Sequence, residues 1–284
     1  MKASYRERRG GSNFVVFTDL DGSLLDHDTY SFENARPALE RIRAQRIPLV
    51  FASSKTRPEI ERLQAEMGIR EPFIVENGAA VFFPEGYRRW RVDGGIRRPP
   101  YTVIRLGATY REIRRFVQAV RPKFNLQGFG DLSAEDIGRL SGLSPLQAEL
   151  ARQREFSEPF IMDEGNRISD LRALAEASGF TITRGGRFHH LVGSGQDKVV
   201  AVRRTAAVIL RNMGPPLCTV GLGDSANDKA MLQCVDLPIL IPRPDGSYED
   251  MELTGLRKAR HPGSRGWNDM ILELLGVPPG GRTP

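Results

Sequence analysis

Two apolar stretches of this chain stop abruptly at paired carboxylates. Residues 14–18, Phe-Val-Val-Phe-Thr, carry no charge and give way to Asp19, Leu20, Asp21 and Gly22. A short apolar run bounded by turn residues reads as a strand covered on both faces. The Asp-Gly step ends it, because glycine tolerates positive φ. The pattern returns at Thr219–Leu222, which runs into Gly223, Asp224 and Asp228.

Between and around these runs, helical and extended patterns alternate. A helix is predicted over Phe32–Gln45, with apolar or small positions at Ala35, Leu39 and Ile42. A strand follows at Pro48–Ala52, then a helix from Pro58 to Met67 and a strand at Phe73–Val75. Thr56 with Glu59 three residues on forms a capping-box signature, and Gly68 a stop. Late in the chain come a helix at Asp197–Asn212, a strand at Leu217–Leu222, a helix at Asn227–Cys234, a strand at Leu237–Ile241 and a closing helix at Asn268–Leu275. Such alternation predicts an α/β fold with a doubly wound, mostly parallel sheet.

The middle departs from that rhythm. Strands are expected at Arg89–Val92, Thr102–Leu106, Phe160–Asp163 and Arg187–Val192, and helices at Tyr110–Val120, Ser133–Leu140, Pro145–Arg154 and Ser169–Ser178. This reads as an α+β insertion over residues 84–192, splitting a Rossmann-like core into residues 1–83 and 193–284. No internal repeat is visible.

The 284 residues suffice for a core plus a second lobe. With 40% apolar and 27% charged residues the composition is that of an ordinary globular protein. No stretch approaches the length of a membrane span. Residues 1–11 are basic without an apolar core, which is not the pattern of a secretory leader. Cys218 and Cys234 are too few for a disulfide framework and lack metal-ligand spacing, so the expected compartment is the cytoplasm. Of the net charge of +6, five units fall between Pro84 and Val192, where 18 Lys and Arg meet 13 Asp and Glu. The charges are interleaved, without an aromatic platform, so a small anionic substrate accounts for the bias better than nucleic acid.

Two carboxylates at i and i+2 beyond a strand cannot both be buried unpaired at neutral pH. They are either turn residues or ligands of a cation. Two such strands ending side by side would gather Asp19, Asp21, Asp224 and Asp228 where open α/β sheets place ligands. A hard divalent ion with oxygen ligands, most simply Mg²⁺, satisfies that set.

Asp19-Leu-Asp21-Gly, Ser53 after a strand, Lys198 opening a helix and Gly223-Asp224-x₃-Asp228 resemble, in order and spacing, the four motifs of haloacid dehalogenase-type phosphatases. The resemblance spans Phe14 to Leu275. It implies that Asp19 is a nucleophile forming an aspartyl phosphate and that Asp21 is the general acid and base. It also implies that Ser53 and Lys198 bind the phosphoryl group. Mg²⁺ would be held by Asp19, Asp224, the Asp21 carbonyl and Asp228. Taken singly, Ser53 is equally a turn residue, Lys198 an ordinary helix lysine and Asp228 a helix-terminus acid.

Finer features are similar to the mannosyl-3-phosphoglycerate phosphatases, which yield the compatible solute mannosylglycerate. These are Ser53-Ser54-Lys55-Thr56, Glu76-Asn77-Gly78-Ala79, Met162 to Arg167, and Gly185-Gly186-Arg187-Phe188-His189-His190. The resemblance implies a Cof-type cap over the active site and a phosphorylated sugar or glycosyl-phosphoglycerate as substrate. Gly185 and Gly186 offer backbone N–H groups to an anion, Arg187 and Arg167 offer guanidinium groups, and Ser54, Lys55, Asn77 and His189 are further contacts. Glu76 either bonds sugar hydroxyls or orders its loop. Position 23 is Ser where Thr is usual, and the arginines of residues 88–98 map onto no substrate group. A broader hexose-phosphate phosphatase, a phosphomutase and a sugar-phosphate sensor are the competing functions. Membrane and nucleic-acid partners are not expected, and oligomeric state is left open.

Overall fold

The computed structural model describes residues 13–162, 168–185 and 188–277. Along the chain these form β1 (Asn13–Thr18), α1 (Arg36–Ala44), β2 (Leu49–Ala52), α2 (Arg57–Met67), β3 (Phe73–Val75) and β4 (Ala80–Pro84). Next come β5 (Ile96–Arg98), β6 (Tyr101–Arg105), α3 (Tyr110–Phe124), β7 (Leu126–Gly128), α4 (Ala134–Ser141), α5 (Pro145–Arg152) and β8 (Ser157–Met162). Then follow α6 (Ile168–Ala177), β9 (Phe180–Gly185), β10 (Phe188–Gly193), α7 (Lys198–Met213) and β11 (Leu217–Gly223). The last are α8 (Lys229–Gln233), β12 (Leu237–Leu240), β13 (Arg257–Lys258) and α9 (Gly263–Leu274).

They assemble into two compact units, which the chain enters and leaves more than once. The first takes the described parts of Met1–Ser53, Gly86–Asp93 and Val202–Pro284. Its strands lie in the order β13-β12-β11-β1-β2, all parallel. Val15, Phe17, Val50 and Val220 on the central strands have no exposed surface, as expected of a parallel sheet covered by helices. Helix α1 packs on α9, and α8 on β11 and β12.

The second unit takes Ser54–Glu85 and Gly94–Ala201. It contains an antiparallel group β3-β4-β6-β5 and a separate antiparallel sheet β7-β8-β10-β9. Ile113, Val117 and Phe124 of α3 and Leu171 and Ala175 of α6 pack with Phe160, Ile182 and Leu191 in one core.

The alternation predicted an α/β fold, and that is the fold observed. Residues Arg89–Val92 differ from expectation. They are not a strand: Tyr87–Arg89 form a 3₁₀ turn after Gly86, and Arg88 and Arg89 adopt positive φ. Asn212 grips that loop, accepting from Arg91 N and donating to Arg91 O, so its backbone bonds are spent off the sheet. Strands β4, β5, β7, β9 and β13 lie outside the expected set. No helix among the described residues is long and apolar enough to cross a membrane.

Candidate active site

In the first unit, three neighbouring parallel strands end at chemistry. Strand β1 pairs with β11 on one side, Thr18 opposite Leu222, and with β2 on the other, Thr18 opposite Phe51. The next residues are Asp19, Ser53 and, one past Gly223, Asp224. The N–H of Asp19 still donates to Leu222 O at 2.9 Å, so the ladder carries β1 to the edge of the site.

One carboxylate oxygen from each of Asp19, Asp224 and Asp228 lies within 4.8 Å of the other two. Asp19 is 7% exposed and Asp228 fully buried. Two glycines make this packing possible. A Cβ on Gly22 would meet Asp224 Oδ2 at 2.5 Å, and one on Gly223 would meet Asp228 Cβ at 2.4 Å. Asp228 Oδ2 accepts from the N–H groups of Asp224 and Ser225 and from Ser225 Oγ, which fixes the carboxylate. Ser23 Oγ donates to Asp224 Oδ1 at 3.4 Å, so the hydroxyl that stands in place of threonine is in use. Below the site, Thr18 Oγ1 donates to Asp19 O and accepts from Trp267 Nε1.

Asp21 stands in the tight loop that closes β1, where Gly22 has φ +76° and Leu25 N–H returns to Leu20 O. Its carboxylate is not part of the three-oxygen cluster. Gly22 and Asp224 also line a cleft of about 320 Å³ with His27, Thr29, Arg243 and Gly263, which is room for a small polar ligand.

The second unit holds the other predicted residues. Lys198 opens α7 and is 3% exposed. Ser54 O accepts from Arg154 Nη1 at 2.8 Å, and Lys55 Nζ stands 4.0 Å from Glu59 Oε1. Glu76 is buried, and its carboxylate accepts from Glu155 N, Phe156 N and Ser157 Oγ. Of its two expected roles, the geometry is that of ordering a loop. Burial pushes its carboxyl up, and the charge of Arg154, the Ser157 hydroxyl and the two N–H groups pull against it. Asn77 follows in the left-handed region, φ 60°, with Oδ1 closed off from solvent. His189 lies on β10 with its ring 5.4 Å from that of Phe160. Gly185 ends β9, while Arg167, Gly186 and Arg187 lie outside the described residues.

Residues 16–88 match the family of haloacid dehalogenase-like hydrolases. The chain is 53% identical over 263 residues to a glucosyl-3-phosphoglycerate/mannosyl-3-phosphoglycerate phosphatase of Persephonella marina, covering 92% of this chain and 97% of that protein. This chain belongs to the haloacid dehalogenase-like hydrolases.

A protein of the same name from Methanococcoides burtonii is 41% identical over 266 residues, with 92% and 97% covered. Among solved structures, a Thermoplasma acidophilum protein superposes with TM-score 0.65 at 17% identity, covering 93% of this chain and 99% of that one. The sucrose-phosphatase of Synechocystis, solved with sucrose and phosphate, superposes with TM-score 0.56 at 14% identity, covering 93% and 98%. These likenesses speak to the fold.

In this hydrolase the acidic cluster fits a divalent cation. Three carboxylates so close, two of them buried, repel one another without a positive charge, and all their donors are hard oxygens. The sequence reading missed Arg154, which holds the carbonyl of Ser54, and the Trp267–Thr18 support beneath Asp19. Neither belongs to a motif, and each acts on a residue far away along the chain.

Proposed function

We propose that this hydrolase removes the phosphate from glucosyl- and mannosyl-3-phosphoglycerate, releasing the glycosylglycerate and inorganic phosphate. The observation that carries the reading is the Asp19–Asp224–Asp228 cluster at the ends of β1 and β11, in a chain that matches the curated phosphatases over nearly their whole length.

A phosphate monoester resists hydrolysis because its dianion repels nucleophiles. Asp19 attacks phosphorus and forms an aspartyl phosphate while the C3 oxygen of the glycerate leaves. Asp21 gives that oxygen its proton, then takes one from the water that releases phosphate. Ser53 donates a hydroxyl to the transferring group, and Lys198 contributes a point charge. Asp19, Asp224, Asp228 and the Asp21 carbonyl are the groups that would hold Mg²⁺, which when bound neutralises charge on the carboxylates and the phosphate.

The insertion 84–192 serves as the cap that reads the remainder of the substrate. Ser54, Lys55 and Asn77 of the core and His189 of the cap are polar contacts of the substrate, and Arg167, Gly185, Gly186 and Arg187 bind its carboxylate. The compartment is the cytoplasm, and neither nucleic acid nor membrane takes part.

A phosphate-release screen across glycosyl-phosphoglycerates and hexose phosphates, with and without chelator, tests the reading. The two glycosyl-phosphoglycerates should give the highest kcat/KM. Equal turnover of all hexose phosphates would point to a broad sugar phosphatase, and transfer to a second hydroxyl to a mutase. Asp19→Asn should abolish release on every substrate, and wild-type release from it would remove the nucleophile assignment.

A further inference from the structure

The turn that begins at Glu76 touches three separate stretches of the second unit. Its own N–H donates to Lys55 O at 3.0 Å, on the loop that carries Ser54 and Lys55. Its carbonyl accepts from Gln196 Nε2 at 2.6 Å, two residues before Lys198. Its carboxylate takes Glu155 N at 2.9 Å on one oxygen, and Phe156 N at 3.2 Å and Ser157 Oγ at 2.5 Å on the other, at the entry to β8.

The turn is also pressed against α7. A Cβ on Gly78 would lie 2.4 Å from the carbonyl carbon and oxygen of Asp197 and 2.6 Å from Lys198 N. Gly78 has φ +96°, and Glu76 and Asn77 also hold positive φ, at 47° and 60°. Two consecutive non-glycine residues in that region persist only where surrounding bonds over-determine them. The same stretch before β8 grips the loop a second time. Arg154 donates to Ser54 O, and Leu150 O accepts from Thr56 Oγ1 at 3.0 Å.

We propose that Glu76 is a positioning residue which holds the Ser54–Lys55 loop and the Lys198 end of α7 in one frame with the start of β8. A sugar contact is excluded by occupancy. The side chain is 1% exposed, and three of the roughly four acceptor sites of a carboxylate are filled. The inference rests on the roles proposed above: Lys198 and Ser53, the neighbour of Ser54, on the phosphoryl group, and Ser54 and Lys55 on the substrate.

Glu76→Gln tests it. The amide has the carboxylate's size, but either flip sets its NH₂ against the N–H of Glu155 or of Phe156. The frame loosens without a cavity. Steady-state kinetics on glucosyl-3-phosphoglycerate and on p-nitrophenyl phosphate, which has neither sugar nor carboxylate, should show the same fall in kcat on both. About 10- to 100-fold is expected for misplaced reacting groups. Arg57→Gln is the control. It breaks the ion pairs to Glu155 and Glu61 beside the same stretch and should lower the melting temperature while keeping kcat.

A loss confined to the glycosyl substrate, seen as raised KM, would make Glu76 a substrate contact and overturn the inference. So would an unchanged kcat, or a fall that Arg57→Gln reproduces. Should Glu76→Gln not fold, Ser157→Ala removes one donor only and should lower kcat on both substrates by a smaller, equal factor. A wild-type protein that releases phosphate from neither compound would fail at the functional reading itself, before any variant is compared.

Discussion

Gly22 and Asp224 stand so close that a methyl group on the first would lie 2.5 Å from Oδ2 of the second. The glycine belongs to the loop after β1 and the aspartate to the loop after β11. Gly22→Ala therefore carries two costs. Its φ of +76° strains any L side chain by about 1–2 kcal/mol, and the new methyl must displace the carboxylate. Gly68→Ala separates them, because Gly68 has φ +65° with nothing within 4 Å. Both variants should melt lower, Gly22→Ala by the larger amount. Only Gly22→Ala should also lose phosphate release, by about 100-fold for an Å-scale displacement, with weaker apparent affinity for the activating metal. Equal activity in the two variants would mean that the Asp224 carboxylate can shift without consequence.

Removal of divalent cation should stop phosphate release and also lower stability. Asp19, Asp224 and Asp228 bring three oxygens within 4.8 Å of one another. A cation that binds the folded chain alone stabilises it by mass action, about 2.7 kcal/mol at a hundred times its Kd. A chelated sample should melt lower, and Mg²⁺ titrated back should raise the melting temperature in step with activity. A melting temperature indifferent to Mg²⁺ would place the ion elsewhere.

Burial first, and then the charges of Arg184 and Arg172, hold the imidazole of His189 below its ordinary range. Above the unfolded value, near pH 6.5, the residue is neutral in both states and adds no pH dependence. As the pH falls through that value the unfolded chain takes up the proton first, and folding stability declines until the folded imidazole also protonates. His189→Phe keeps a ring against Phe160 and removes the titration. Denaturation midpoints of this variant should fall less steeply than wild type between about pH 7 and pH 5. Parallel slopes would show that His189 protonates equally in both states.

What the sequence disclosed is what its neighbours along the chain decide. Thr56, Glu59 and Gly68 bound α2 as predicted, with reciprocal cap bonds at one end and a left-handed residue at the other, because capping is settled within four residues. The carboxylate cluster was legible for a similar reason. A charge that follows an uncharged strand has to stand at that strand's end, and β1 and β11 are neighbours in the sheet. The arginines after Gly86 misled because a run of long side chains is compatible with an edge strand. Their conformation is set instead by Asn212, 121 residues away. Glu76 is the sharpest case. The sequence shows a carboxylate after a strand, as at Asp19, but the donors that consume it lie 79 to 81 residues further along. Strand β4 escaped because Ala80–Pro84 has no alternation, although the Asn77-Gly78 pair before it is a common hairpin turn and announces its antiparallel return onto β3.

Trp267 ties the closing helix to the nucleophile's strand. It is fully buried on α9, and its Nε1 donates at 3.0 Å to Thr18 Oγ1, which donates at 2.7 Å to the carbonyl of Asp19. Trp267→Phe keeps an aromatic ring but leaves a lone pair of the Thr18 hydroxyl unfilled in a site without water access. That loss should cost about 1–3 kcal/mol, beyond the space vacated by the smaller ring. The hydroxyl's bond to Asp19 O survives, so kcat should change little while the denaturation midpoint falls. Thr18→Val removes the acceptor as well. In the double variant the tryptophan's hydrogen bond is already absent, so the two costs should sum to more than the double variant shows. Strict additivity of Thr18→Val and Trp267→Phe would mean that the bond contributes nothing and that Trp267 acts by packing alone.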